Sequence, residues 1–93
     1  MNNTYFVYIM ANRKFGTMYV GVTNSLHRRV AEHKTGYGSK FVSQYKLHRC
    51  VYYETYGNIQ EAIKREKQLK AGTRKQKIEL IEKENLAWRD LCT

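Results

Sequence analysis

Glu66 stands where a helix would be expected to carry something apolar. Ile59, Ala62, Ile63, Glu66 and Leu69 recur at the spacing of one helical face, and four of the five are apolar. An unpaired carboxylate buried on such a face would cost several kcal/mol. It must therefore pair with a cation, hold a metal ion or open into a cleft, unless the helix turns it to solvent. A second oddity lies upstream. Arg29 and His33 are one helical turn apart and flank the apolar contact of Leu26 and Val30, so a fixed cation and a titratable ring share one face. Tyr8 and Tyr19 add two phenols on strand-like segments. Taken singly, each has a plain alternative: a salt bridge for Glu66, solvation for Arg29 and His33, core filling for the tyrosines. Together they amount to a chemistry if the chain brings them to one place.

The elements that would position them can be read from residue type. Residues 4–10 and 17–22 are rich in aromatic and β-branched side chains and read as two strands of an antiparallel hairpin. Alternation puts Phe6 and Tyr8 on one face, with Val7 and Ile9 on the other. Residues 25–35 read as a helix, with Asn24 or Ser25 as N-cap and Gly36 at its end. Residues 37–47 read as an irregular basic loop, and residues 48–55 as a third strand. Asn58 to Glu61 forms a capping-box pattern that opens a helix running to Lys70 or Ala71, stopped by Gly72. Thr73 to Gln76 repeats the pattern and opens a last helix to about residue 87. The order ββαβαα predicts an α+β fold, a three-stranded antiparallel sheet flanked by helices.

The length of 93 residues suits one domain over residues 1–93. With 42% apolar residues the chain can form a core. Seventeen Lys and Arg against eight Asp and Glu give a net charge of +9. Such a surface attracts polyanions, nucleic acid ahead of an anionic membrane. No stretch approaches the roughly 20 apolar residues of a membrane span. The N-terminus MNNTYFVYIM lacks the basic start of a secretion signal, so a cytoplasmic location is expected. Cys50 and Cys92 lack metal-site spacing. They read as free thiols, with a single disulfide as the alternative.

The arrangement resembles a known family. Phe6-Val7-Tyr8 and Tyr19-Val20-Gly21, eleven residues apart from tyrosine to tyrosine, are similar to the paired tripeptides of the GIY-YIG nucleases, although Phe6 stands at the first glycine. Arg29 follows Tyr19 by ten residues and His33 comes four later, the spacing of that family's arginine and of a histidine found in several members. Glu66 matches the family's metal-binding glutamate. Residues 19–24, 28–33, 51–54, 62–70 and 77–91 resemble the small stand-alone bacterial branch, akin to the N-terminal domain of an excinuclease. Leu86 replaces a proline expected there.

The resemblance implies a metal-dependent endonuclease that hydrolyses DNA phosphodiesters, in repair or recombination. Tyr8 would deprotonate the attacking water. Its phenol, ordinarily near pKa 10, would be brought within reach by nearby cations, and His33 would accept the proton. Tyr19 would orient water or phosphate, and Arg29 would grip phosphoryl oxygens. Glu66 would be the single protein ligand of one Mg²⁺ or Mn²⁺, which would steady the leaving oxygen. A late-helix polar residue of the site would be Gln76 or Asn85. Lys40, Lys46, Lys67, Lys70 and Arg74, within a larger set that includes Arg49, Lys64, Arg65, Lys75 and Lys77, would contact phosphates without reading sequence. The expected partner is DNA with branched, nicked or single-stranded regions, and no oligomeric state is implied. The alternatives are a non-catalytic nucleic-acid-binding module with the same fold, or an adaptor for an acidic protein.

Overall fold

A computed structural model describes residues 3–36 and 39–92. The elements are β1 (Tyr5–Ala11), β2 (Met18–Thr23), α1 (Leu26–Lys34), α2 (Lys40–Tyr45), β3 (Arg49–Tyr56), α3 (Ile59–Ala71) and α4 (Arg74–Glu84). The sheet order is β2-β1-β3 with both pairs antiparallel. The α+β architecture follows the expected order with one addition: the segment 37–47, expected to be irregular, contains α2. Ser39 caps it by accepting from the Val42 N–H, Val42 is fully buried, and Lys46 closes it in the left-handed region at φ 55°.

β1 is the central strand, and its alternation builds two cores. Tyr8 and Met10 pack with Leu26 and Val30 of α1, Val42 of α2, and Leu47 and Cys50. Val7, Ile9 and Ala11 pack on the other face with Ala62 and Leu69 of α3, Ile81 of α4 and Trp88. A bulge in β3 shifts the register between Ile9↔Tyr52 and Met10↔Cys50, leaving Val51 as the extra residue. Val51 and Tyr52, although adjacent, therefore both join the α3 face, while Cys50 joins the α1 face. Both cysteines are free thiols.

The hairpin turn is held by Asn12, whose Oδ1 accepts from the Thr17 N–H at 2.9 Å. Any Cβ at Gly16 would collide with that Asn12 side chain. Asn58 caps α3 by accepting from the N–H groups of Gln60 and Glu61 at 2.7 and 3.3 Å. At α4 the reciprocal capping box forms between Thr73 and Gln76.

α3 is fixed in rotation by charge as well as by apolar contact. Arg65 donates two bonds to Glu54 on β3, at 2.9 and 3.0 Å, and the Tyr52 and Tyr56 hydroxyls donate to the same carboxylate. Burial pushes the Glu54 carboxyl up, but these donors outweigh it and hold the group below its ordinary range. With Ala62 and Leu69 buried on this helix, Glu66 falls on the same side, between them.

α4 ends at Glu84, earlier than expected, because Asn85 turns the chain. Its Nδ2 donates to the carbonyls of Val51 and Arg89 at 3.0 and 2.8 Å, and its Oδ1 accepts from the Arg89 N–H. The turn swings Trp88 into the core with no exposed surface, its Nε1 donating to Glu82 at 2.8 Å. Leu91 N–H then donates to the Cys50 carbonyl at 2.8 Å. The tail is thus part of the core, and Trp88→Ala is expected to lower folding stability by about 3–5 kcal/mol, read as a fall in the urea midpoint. A shift under about 1 kcal/mol would mean that the tail is not integral to the fold.

Candidate active site

Four of the residues singled out in the sequence meet on the α1 face of the sheet. β1 carries Tyr8, β2 carries Tyr19, and α1 carries Arg29 and His33. The Tyr8 hydroxyl and His33 Nε2 are 2.9 Å apart. The ring centroids of Tyr8 and Tyr19 are separated by 6.4 Å, those of Tyr8 and His33 by 5.8 Å, and those of Tyr19 and His33 by 5.7 Å. Tyr8 and His33 are buried at 1% and 0% exposure, whereas Tyr19 and Arg29 are half-buried and form the rim.

Gly21 makes this arrangement possible. It is the cross-strand partner of Tyr8, and a Cβ there would lie within 2.9 Å of Oη, Cζ and Cε1 of the Tyr8 ring. The phenol lies across β2 because that position has no side chain. This role was not evident from the sequence, where Gly21 figured only as part of a tripeptide. The signal was available: a glycine inside a strand marks a close approach.

Burial dominates the electrostatics. It pushes the Tyr8 phenol up to about 12, against the opposing charge and hydrogen-bonding of the Arg29 guanidinium beside it. The expectation that nearby cations would make the phenolate accessible is therefore reversed, because loss of hydration outweighs the single cation. Burial likewise lowers His33 to about 4, with Arg29 pushing further down and Glu32 opposing. Both groups are neutral at physiological pH. His33 Nδ1 is buried and has no hydrogen-bond partner among the described residues. Arg29 keeps an ion pair with Glu32 at 3.2 Å.

Glu66 is placed differently. Its side chain is 15% exposed, and its carboxylate lies 3.4 Å from Lys70 Nζ on the next turn of α3. Lys70 in turn lines a cleft of about 400 Å³ with Tyr19, Phe41, Met18, Val20 and Lys77. β2 is an edge strand, so this cleft joins helices from the two faces of the sheet around that edge. Glu66 thus pairs with a lysine that shares a cleft with Tyr19. Among the described residues no three His, Cys, Asp or Glu side chains converge as a metal cage. A lone hard carboxylate oxygen beside a half-exposed lysine suits an ion that retains most of its waters.

The other candidates divide. Lys40, Lys46, Lys67 and Lys70 are exposed. Arg74 donates to the carbonyls of Phe15 and Gly16 and so clasps the hairpin turn. Arg65 is committed to Glu54. Gln76 Oε1 accepts from the Thr73 N–H at 2.9 Å, and Asn85 holds the tail, so both late-helix candidates have structural partners. Among the described residues no helix is long and apolar enough to cross a membrane.

The family described as the GIY-YIG catalytic domain matches residues 4–79. The chain belongs to the GIY-YIG family. Its relatives include UPF0213 protein SERP0126 of Staphylococcus epidermidis, 37% identical over 78 residues, which span 84% of this chain and 94% of that one. A UPF0213 protein of Staphylococcus aureus is 35% identical over 79 residues, 85% of this chain and 95% of the relative. The solution NMR structure of UPF0213 protein BH0048 from Bacillus halodurans superposes with a TM-score of 0.55 at 28% identity, covering 88% of this chain and 86% of that one. Tyr8 and Tyr19 both fall within the matched span, Tyr8 buried and Tyr19 on the rim.

Two outcomes follow. Gly21→Ala should displace the Tyr8 ring and cost about 1–3 kcal/mol of stability through overpacking, with changed chemical shifts at the His33 ring; unchanged His33 resonances would mean that Tyr8 does not need the space. Between pH 6.5 and about 4 the unfolded chain binds a proton at His33 that the folded chain refuses. Stability should fall with pH through that window, more steeply in wild type than in His33→Gln. Parallel urea-midpoint curves for the two proteins would contradict the assignment.

Proposed function

We propose that this protein is a metal-dependent DNA endonuclease that hydrolyses phosphodiesters at the rim formed by Tyr19 and Arg29, with repair or recombination as its setting. The observation that carries the reading is the buried Tyr8–His33 hydrogen bond with the Arg29 guanidinium beside it. Arg29 suits the charge on phosphoryl oxygens, and it would engage them in place of its present partner Glu32. Tyr19 would orient the phosphate or the water.

With a phenol near 12, only about one Tyr8 in 10⁵ is ionised at pH 7. A standing phenolate base would therefore cost roughly 7 kcal/mol. Tyr8 works better as a neutral relay. With the His33 proton on Nδ1, Nε2 accepts from the Tyr8 hydroxyl while Tyr8 oxygen accepts from the water. The resting His33 is a weak acceptor, in part because Arg29 repels its proton. A phosphate bound to Arg29 would offset that charge, raising His33 and leaving Tyr8 neutral. The substrate thereby prepares its own base. Glu66 would hold the divalent ion once Lys70 moves aside. The ion, Mg²⁺ or Mn²⁺, would supply Lewis-acid stabilisation of the phosphoryl charge.

The test is cleavage of nicked, branched and single-stranded DNA with Mg²⁺ or Mn²⁺. Arg29→Ala and Glu66→Ala should each lower the rate at least about 100-fold with unchanged unfolding midpoints. If both cleave like wild type, the proposed site is wrong. The relay adds a pH signature: the rate should fall on acidification as His33 protonates, near pH 4 in the free enzyme and at higher pH once bound phosphate raises it, and level off above that point. A log rate still climbing with unit slope at pH 10 would instead assign the base to ionised Tyr8.

A further inference from the structure

The cleft beside Tyr19 carries more than cations. α2 presents Phe41 and Tyr45 at an i, i+4 spacing, with ring centroids 4.7 Å apart, and both remain exposed, at 42% and 44%. Phe41 also faces Tyr19, with centroids 6.3 Å apart and planes inclined by 31°. Three aromatic rings thus run in succession from the rim of the site along α2. Exposed aromatic pairs of this size are costly to leave in water, and here the rings stand among exposed charge. Lys40 and Lys46 bracket α2 at its two ends; exposed Lys70 and half-buried Lys77, whose Nζ donates to the Gly72 carbonyl at 2.9 Å, line the cleft that Phe41 shares with Tyr19. A π-face next to cations is the pairing that single-stranded nucleic acid requires: the ring stacks a base and the ammonium groups follow the backbone.

Building on the reading of the rim as a phosphodiester-binding site, we propose that Phe41 and Tyr45 form a stacking platform for an unpaired nucleobase adjoining the phosphate at the rim. Lys70 and Lys77 would take neighbouring phosphates within the cleft. Duplex DNA keeps its bases stacked on one another and offers no free π-face, so the platform selects a strand with at least one unpaired nucleotide. The charge around the rings argues against an apolar protein partner, because such a partner would bury the flanking lysines without compensation.

Binding measured in EDTA separates this proposal from catalysis. The probes are fluorescein-labelled dT20, an abasic 20-mer with the same number of phosphates, and a blunt duplex. Wild type should bind dT20 more tightly than the abasic strand or the duplex. Phe41→Ala and Tyr45→Ala should each weaken dT20 binding about 5- to 100-fold, with the abasic affinity and the salt dependence unchanged. Phe41→Trp should retain dT20 binding, and Phe41→Leu, which keeps an apolar side chain without a π-face, should behave like Phe41→Ala. Equal losses on dT20 and the abasic strand would overturn the platform, as would no loss on either. Concentration-dependent self-association that Phe41→Ala abolishes, with oligonucleotide affinity intact, would assign the face to a second copy and overturn it too. If no substrate is cleaved with any metal yet the base-dependent loss persists, the nuclease reading fails and the platform stands.

Discussion

One hydrogen bond, between a phenol and an imidazole that are both hidden from water, organises the α1 side of this molecule. A buried polar group without a partner costs about 1–3 kcal/mol, so Tyr8 and His33 each need the other. That mutual need fixes α1 against β1 in register and rotation. It also explains why β2 carries glycine at position 21: a side chain there would occupy the ring that has to lie across the strand. Arg29 follows, because a residue one turn before His33 on α1 necessarily stands over the same end of the pair. The rim is a consequence of the core beneath it.

The same burial sets the chemistry. Dehydration drives the Tyr8 phenol up and the His33 imidazole down, and Arg29 acts on both, favouring phenolate while disfavouring imidazolium. The guanidinium therefore has two possible effects of opposite benefit, and the larger contribution from burial decides between them. Tyr8 stays protonated, so in the proposed relay its hydroxyl would serve as a donor and acceptor rather than as a stored base. In the proposed relay, an anion at Arg29 would raise the proton affinity of His33 by offsetting the cation that lowers it. Nδ1 of His33 has no hydrogen-bond partner among the described residues, a feature rare in buried side chains.

Much of this was legible in the residues. The alternation Phe6, Val7, Tyr8, Ile9 gave the two faces of β1, and Asn58 and Thr73 marked the starts of α3 and α4 through their short oxygen-bearing side chains. The spacing of Arg29 and His33 placed both on one face because helical geometry leaves no alternative. Other features depend on distant partners and left weaker traces. The β3 bulge arises from pairing with β1 and leaves no local sign. The early end of α4 depends on Asn85 reaching the Val51 carbonyl. α2 did leave a trace in the i, i+4 aromatic pair capped by Ser39, but six residues give too short a period to stand out from a loop. The charge state of Tyr8 was misjudged because a sequence shows neighbouring cations and not the depth at which a ring lies.

Glu66 belongs to α3, on the face of the sheet opposite Arg29 and His33 of α1. α1 and α2 cover one face of the sheet and α3 and α4 the other, so a carboxylate on α3 can approach Tyr19 only around an edge. β2 provides that edge. An exposed strand edge invites pairing with another chain, and charged or covering side chains are the usual defence. Here Lys70, Lys77 and Phe41 stand around it. These side chains hinder a neighbouring strand from docking, and under the proposed function they would draw a phosphate backbone to the place where the faces meet. Protection of the edge and recruitment of a polyanion are thus one arrangement of charge. Neutralising the cleft lysines should weaken both at once, whereas changing Lys67, outside the cleft lining, removes the same formal charge without altering the edge.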